Sequence, residues 1–296
     1  MTTTTPSVVL AGAAAPPTRT HRRLLRRLLK DRAAVVALTF LGLLIAAAVF
    51  APLVAPHDPN AQNLRESLQG PSWAHLLGTD GKGRDVLSRI IFAARVALMA
   101  PLLAVGVGVL LGVPTGLFAG ITRGRTDAVL GRLADTLLSI PPIVMAIAII
   151  AILGPGLRNA MLAIGLVYAP GLFRIVRGAA LNVSGELFID SARSIGCSWP
   201  RLLWSHVLPN VVGPLLVQIS LLMGFSLLAE ASLSFLGLGV QIPTASWGTM
   251  LRTAYDEKFN APYAVIPPGV VLSLTILAFN VLGDSLRDAI AARRRT

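Results

Sequence analysis

The chain has one cysteine, Cys197, in 296 residues, which excludes an intramolecular disulfide and any multi-cysteine zinc or iron–sulfur centre. Histidine is also scarce. His21, His57, His75 and His206 are scattered without ligand spacing, so nothing in the composition points to a metalloenzyme. Charged residues make up only 14% of the chain, and lysine occurs only at Lys30, Lys82 and Lys258, leaving arginine as nearly all of the basic content. Apolar residues fill the gap: 54% of the chain is hydrophobic and mean hydropathy is +0.71. One soluble domain of this length does not carry that composition, whereas a polytopic membrane protein does.

A helix needs about 20 mostly apolar residues to cross a hydrocarbon core. Six stretches approach that: 33–54, 96–122, 136–157, 159–173, 209–240 and 261–283. The fourth is short and interrupted by Pro170-Gly171, so its helix is expected to take in Arg174 or Arg177 at its end by snorkelling. The fifth carries one carboxylate, Glu230, and the sixth has Pro267-Pro268 near its start. The expected fold is therefore all-α, with six transmembrane helices. With the N-terminus inside, 18 basic residues fall on the inner side and 8 on the outer, which favours an N-in, C-in arrangement. The net charge of +12 then reflects topology, and no nucleic-acid partner is expected, since phosphate readers need a basic patch on a soluble face. Residues 1–18, rich in Thr, Ala and Pro, read as disordered within a cytoplasmic tail 1–32. The basic stretch 21–32 and the apolar run after it read as an uncleaved signal anchor opening a transmembrane domain 33–296.

Three connecting or packing segments carry information. An external loop with an amphipathic helix is expected at 56–95, because Val86, Leu87, Ile90, Ile91 and Ala94 recur at helical spacing with Asp85 and Arg89 paired opposite. Its Gly78, Gly81 and Gly83 lack the order of a phosphate-binding loop. Gly108, Gly112, Gly116 and Gly120, four apart in the second span, allow one helix face to approach another backbone closely. In the loop 184–206, Leu187, Phe188, Ser191 and Ile195 can form one face of a short helix, Gly196 can end it in a left-handed turn, and Ser198 with Pro200 can start a second helix ended by Pro209. Such a knuckle offers a compact, part-apolar surface either to a protein or to lipid headgroups.

The string Asp190-Ser191-Ala192, then Gly196, then His206-Val207-Leu208-Pro209 resembles the Glu-Ala-Ala…Gly…Ile-x-Leu-Pro loop of ABC importer permeases, with Asp190-Ser191 standing for Glu-Ala. Three further strings narrow the resemblance: His75-Leu-Leu-Gly-Thr-Asp80-Gly-Lys-Gly-Arg84-Asp85 running on to Arg89, Glu230-Ala-Ser-Leu-Ser-Phe leading through Gln241 to Ser246-Trp247-Gly248, and Asn280-Val-Leu-Gly-Asp284-Ser-Leu-Arg287-Asp288. Together they are similar to the second-type (C-type) permease of dipeptide, oligopeptide and nickel ABC importers over roughly 24–291. The resemblance implies a type I importer-like permease fold in the bacterial plasma (inner) membrane. It further implies half of a translocation pathway shared with a homologous second permease, two ATP-binding subunits, an extracytoplasmic substrate-binding protein, and peptide as substrate. No catalytic residue, metal or cofactor is expected in this chain, with ATP and magnesium held by the ATPases. By the same resemblance Glu186, Asp190, Ser191, Ala192, Gly196, Trp199, Leu208 and Pro209 would couple to the ATPases, and Asp80, Arg84, Asp85, Arg89, Gln241 and Trp247 would lie on the binding-protein side.

Glu230 is the one carboxylate inside a span, which nominates it for function. A lone carboxylate without titratable neighbours makes a poor proton relay, so the favoured reading is a partner on a neighbouring helix that holds the bundle together. A nickel or metal-chelate importer of the same family is the nearest alternative. An ion-coupled secondary transporter would be expected to have inverted repeats and paired membrane carboxylates, neither of which is found.

Overall fold

The computed structural model describes residues 29–198 and 201–291. The stretch 1–18 expected to be disordered, most of the tail, and Trp199 lie outside them. The described residues are helical, with one isolated bridge between Thr79 and Asp85 in place of any sheet. In chain order the helices are α1 (Arg32–Val49), the short α2 (Ala51–Val54), α3 (Val86–Thr122), α4 (Gly124–Leu138), α5 (Pro142–Leu153), α6 (Leu157–Ser184), α7 (Leu187–Ser194), a π-helical segment (Leu202–Val207), α8 (Leu208–Phe235), α9 (Trp247–Asp256) and α10 (Ile266–Ala291). Five are long and apolar enough to cross a membrane, or six when the bent pair α4–α5 is counted as one crossing.

Hydrogen bonds between chain-distant residues sort the helix termini into two ends. At one end Asp31, the cap of α1, accepts from Ala33 N (3.0 Å) and from the Ser285 hydroxyl of α10 (2.6 Å). These donors, Ser285 foremost, hold the Asp31 carboxyl below the usual carboxylate range. Arg123, after α3, donates to Ser184 at the end of α6 (3.1 Å). At the other end Arg95 of α3 donates to Ala48 O near the end of α1 (2.7 Å), Gly156 N donates to Leu238 O, and Trp247 Nε1 donates to Ile90 O (3.2 Å). The loop 55–85 lies at this second end and the knuckle 184–206 at the first.

Three expectations about the helices change. No separate surface helix precedes the second span: α3 runs unbroken for 37 residues from its Asp85 cap, about 55 Å against a hydrocarbon thickness of roughly 30 Å. Its first turns pack mainly inward, with Ile90, Ala93, Ala94 and Ala97 buried in the same cluster as Trp247 and Leu227, while Leu87 and Ile91 are half-buried. The third span is not one helix. The residue before a proline avoids the α region, and Pro141 precedes Pro142 with extended backbone (ψ 129°), so α4 and α5 meet at 93°. The fourth span is not interrupted at Pro170-Gly171, since α6 continues through buried Pro170 for 28 residues and takes in both Arg174 and Arg177.

The glycine row does what its spacing allows. A Cβ on Gly112 would lie 2.6 Å from Ala169 O, on Gly116 2.7 Å from Phe173 O, and on Gly120 2.7 Å from Ala180 Cβ. The matching numbers rise together, so α3 and α6 run parallel with their backbones in contact. Helix α4 folds back along α6, with Arg177 gripping both oxygens of Asp127 and Arg174 reaching Asp135 at 3.7 Å.

Candidate functional site

The knuckle between α6 and α8 is built by burying one side of a short helix. Ile189 (0% exposed) and Ala192 of α7, Leu202 and Val207 of the π segment, and Val211 of α8 share a cluster with Ile121, Val176 and Ala180. Helix α7 ends as its sequence suggests. Gly196 takes φ +79°, and the Cys197 N–H returns to Ala192 O at 3.0 Å, closing a left-handed helix terminator. The second half departs from expectation: Pro209 does not end a helix but sits in the first turn of α8, which continues directly from the π segment. A proline deprives the preceding turn of an N–H donor, and the chain passes through it in the wider π turn, where Asn210 Nδ2 also donates to His206 O at 2.7 Å.

The opposite side of the knuckle is uncovered. Leu187 is 83% exposed, Ile195 85%, Trp204 64% and Phe188 46%. Leu187, Phe188, Ser191 and Ile195 thus share one helix face, as their spacing suggests, and that face points outward. Glu186, Asp190 and Ser191 are exposed beside it. An apolar patch rimmed by polar groups marks an interaction surface, and two carboxylates on its rim disfavour an anionic lipid surface as its cover. Among the expected coupling residues, Glu186, Asp190, Ser191, Gly196 and Pro209 are exposed, whereas Ala192 is buried and Leu208 is half-buried against the cluster. Trp199 lies outside the described residues. Leu187, Ile195 and Trp204 are the most exposed apolar groups of the knuckle; the first two lie on the face read from the sequence, and the fold adds Trp204.

At the loop end the expected partner-facing residues turn mostly inward. Arg84, Asp85, Arg89 and Trp247 are each at most 5% exposed. Asp80 receives Arg84 Nε (2.8 Å), Lys82 N and Arg84 N, and Arg89 Nη1 donates to Pro59 O (3.0 Å). Asp85 caps α3 by accepting from Ser88 N and Ser88 Oγ (2.8 and 2.7 Å). Burial pushes the Asp85 carboxyl up, but the Ser88 and His75 hydrogen bonds and the nearby His57 outweigh it and keep it below the usual range. These groups fasten the loop to α3 and cannot themselves form a contact surface, because each already has its partner inside the fold. Of the six residues, Gln241 is exposed and Asp80 partly so. The histidines also need correction: His57 and His75, apart in sequence, stack with ring centroids 4.7 Å apart beside Asp85.

Glu230 is 1% exposed. Its hydrogen-bond partner is on its own helix and not on a neighbouring one: the Ser234 hydroxyl, one turn on, donates to Oε1 at 2.6 Å. Ser234 Oγ in turn accepts from Val240 N (3.0 Å), so Glu230 and Ser234 together hold the start of the segment after α8. A buried group of this kind costs about 1–3 kcal/mol when its partners are left unpaired. Glu230→Gln, which keeps an acceptor for Ser234, is expected to retain uptake close to the parent's, while Glu230→Leu lowers the amount of protein in the membrane. A complete loss of uptake by a normally inserted Glu230→Gln chain would instead require a titrating carboxyl.

Comparison with known proteins places this geometry. Residues 112–296 match the model of the binding-protein-dependent transport system inner membrane component, and residues 21–71 match the N-terminal TM domain of oligopeptide transport permease C. The chain is 42% identical over 266 residues to a glutathione transport system permease of Pectobacterium atrosepticum, covering 90% of this chain and 88% of that one. It is 41% identical to a di/tripeptide transport system permease of Pseudomonas aeruginosa, covering 88% of each chain, and 39% identical to a dipeptide transport system permease of Alkalihalophilus pseudofirmus, covering 92% and 89%. The fold is similar to that of an inward-facing methionine ABC transporter, with TM-score 0.57 and 18% identity over 69% of this chain and 96% of that one.

Proposed function

The chain belongs to the binding-protein-dependent transport system inner membrane components, and from that premise we propose that it is one of two permease subunits in an ATP-driven importer of di- and oligopeptides. It is a multi-pass inner-membrane protein. The observation that carries the coupling role is the outward apolar face of α7, set at the end of the bundle where α3 and α6 terminate. One of the two ATP-binding subunits would seat on Leu187, Phe188, Ser191 and Ile195, flanked by Glu186 and Asp190, and the two would hold ATP and magnesium themselves. Their closure would reach the pathway through the α3–α6 pair and switch it between outward- and inward-open states. A substrate-binding protein would deliver peptide at the loop end, where Gln241 and Asp80 are accessible. The knuckle end faces the cytoplasm in this reading, in keeping with the basic residues near it. Peptide as the substrate class rests on the names of the relatives, which favour it over nickel.

Tagged chain recovered from mildly solubilised membranes is expected to bring down a second six-span protein and P-loop ATPases, with crosslinks to an ATPase from the native Cys197. A maleimide that cannot cross the membrane should leave Cys197 unlabelled in intact cells and label it in inside-out vesicles stripped of peripheral proteins. A chain that purifies alone even after crosslinking would overturn the ATPase coupling, and labelling in intact cells would reverse the orientation.

A further inference from the structure

The loop 55–85 gathers two imidazoles and a carboxylate that the transport reading leaves without a task. His57 Nδ1 and His75 Nδ1 lie 3.8 and 2.9 Å from the same oxygen, Asp85 Oδ1. One ligand atom from each residue falls within 4.8 Å of the other two. The surroundings set their orientation. Asp85 Oδ2 is occupied by Ser88, which leaves Oδ1 facing the rings, and Ser88 Oγ also accepts the His57 backbone N–H at 3.0 Å. On its far side His75 turns Nε2 toward Glu66 Oε2, 3.6 Å away. Without an ion the 2.9 Å contact is a hydrogen bond, with His75 Nδ1–H donating to Asp85 Oδ1. An ion would take the place of that proton, binding the Nδ1 lone pair while the ring's remaining proton sits on Nε2 toward Glu66, the carboxylate–imidazole–metal arrangement.

We propose that His57, His75 and Asp85 form a binding site for one borderline divalent transition-metal ion, of which zinc is the type. Two neutral imidazoles and one carboxylate suit zinc rather than calcium or magnesium, and three protein ligands leave a fourth position for water. Bonds of about 2.0–2.1 Å place tetrahedral ligands roughly 3.3 Å apart, so His75 and Asp85 part slightly while His57 closes in. His57 has the freedom to do so, since its side chain is 42% exposed and borders a groove of about 610 Å³ between Pro52, Asn60 and Phe92 that gives an ion its entry. The ion would be resident, joining three separated points of the loop to the cap of α3.

The test uses the full chain, tag removed, in detergent or nanodiscs, stripped with a chelator and titrated with zinc chloride alone and with cobalt chloride. The expected result is one zinc retained per chain after dialysis, a visible cobalt spectrum of low-symmetry ligation, and a rise in thermal stability with zinc. His57→Ala, whose backbone bond to Ser88 is untouched, is expected to lose at least tenfold in affinity, and Glu66→Gln about tenfold through the ring it orients. His206→Ala should change nothing. No retained zinc in a folded parent chain overturns the site, as does equal retention by His57→Ala. A stability change between pH 5 and 7 that is the same with and without zinc also overturns it, because the cluster is then held by a proton.

Discussion

Leu187→Asp combined with Ile195→Asp is expected to reduce uptake roughly tenfold or more while the chain inserts at its normal level, because interface anchors of this kind each contribute about 2 kcal/mol or more and 1.4 kcal/mol is a factor of ten. Both side chains are more than four-fifths exposed, so the folded chain loses almost no packing when they become charged. ATPase recovery with the tagged chain should fall in parallel. Gly196→Val reaches the same surface by another route: space around a Cβ there is open, but φ +79° is a conformation β-branched residues resist. Unimpaired uptake by the double aspartate chain would remove α7 as the docking element. The pair of variants separates contact from shape, since one alters only what the face presents and the other only the turn that sets its angle.

Gly116→Val is expected to act through the bundle instead. Its Cβ would lie 2.7 Å from the Phe173 carbonyl and 3.0 Å from Val176 Cβ, and a carbonyl in a neighbouring helix cannot rotate away as a side chain can. Overpacking costs about 1–3 kcal/mol even for a few added methyl groups in a yielding core, and here the whole α3–α6 contact must open. Protease resistance in membranes should drop together with uptake. Gly171→Ala on α6, where a Cβ meets nothing within 4 Å, serves as the control that leaves both unchanged. A Gly116→Val chain as protease-resistant as the parent would show that the two helices are not locked along this row.

The features legible in the sequence are those whose cause is local. Charge-free runs located the crossings because a span is defined by what it lacks over 20 residues, and four glycines at a spacing of four announced the close approach of α3. Gly196 and the face formed by Leu187, Phe188, Ser191 and Ile195 could be read because helix period and a left-handed stop depend on neighbours in the chain. The rest depends on residues far apart. Trp247 donates to Ile90 O across 157 positions, so its motif gives no sign that it is a buried peg and not a surface contact. Glu230 has as its partner a serine one turn along its own helix, and a search on neighbouring helices passes it over. Spacing rules treat His57 and His75 as unrelated because seventeen residues of loop separate them, and only the Asp85 cap on α3 brings both to one oxygen. The proline breaks were misplaced for a related reason: Pro170 is carried inside a helix whose neighbours enclose it, while Pro141-Pro142 has no such enclosure and turns the chain.

The 37-residue length of α3 has a mechanical meaning. Fastened to α6 along Gly108 to Gly120 and capped at the far end by Asp85, it would pivot about that row, nearer its Arg123 tip than its middle. With arms of about 12 and 42 Å, a tilt of roughly 10° would swing the two tips by about 2 and 7 Å in opposite directions. A small pull at the Arg123 tip would then reach the loop on the far side enlarged, less what bending at Pro101 takes up on the long arm.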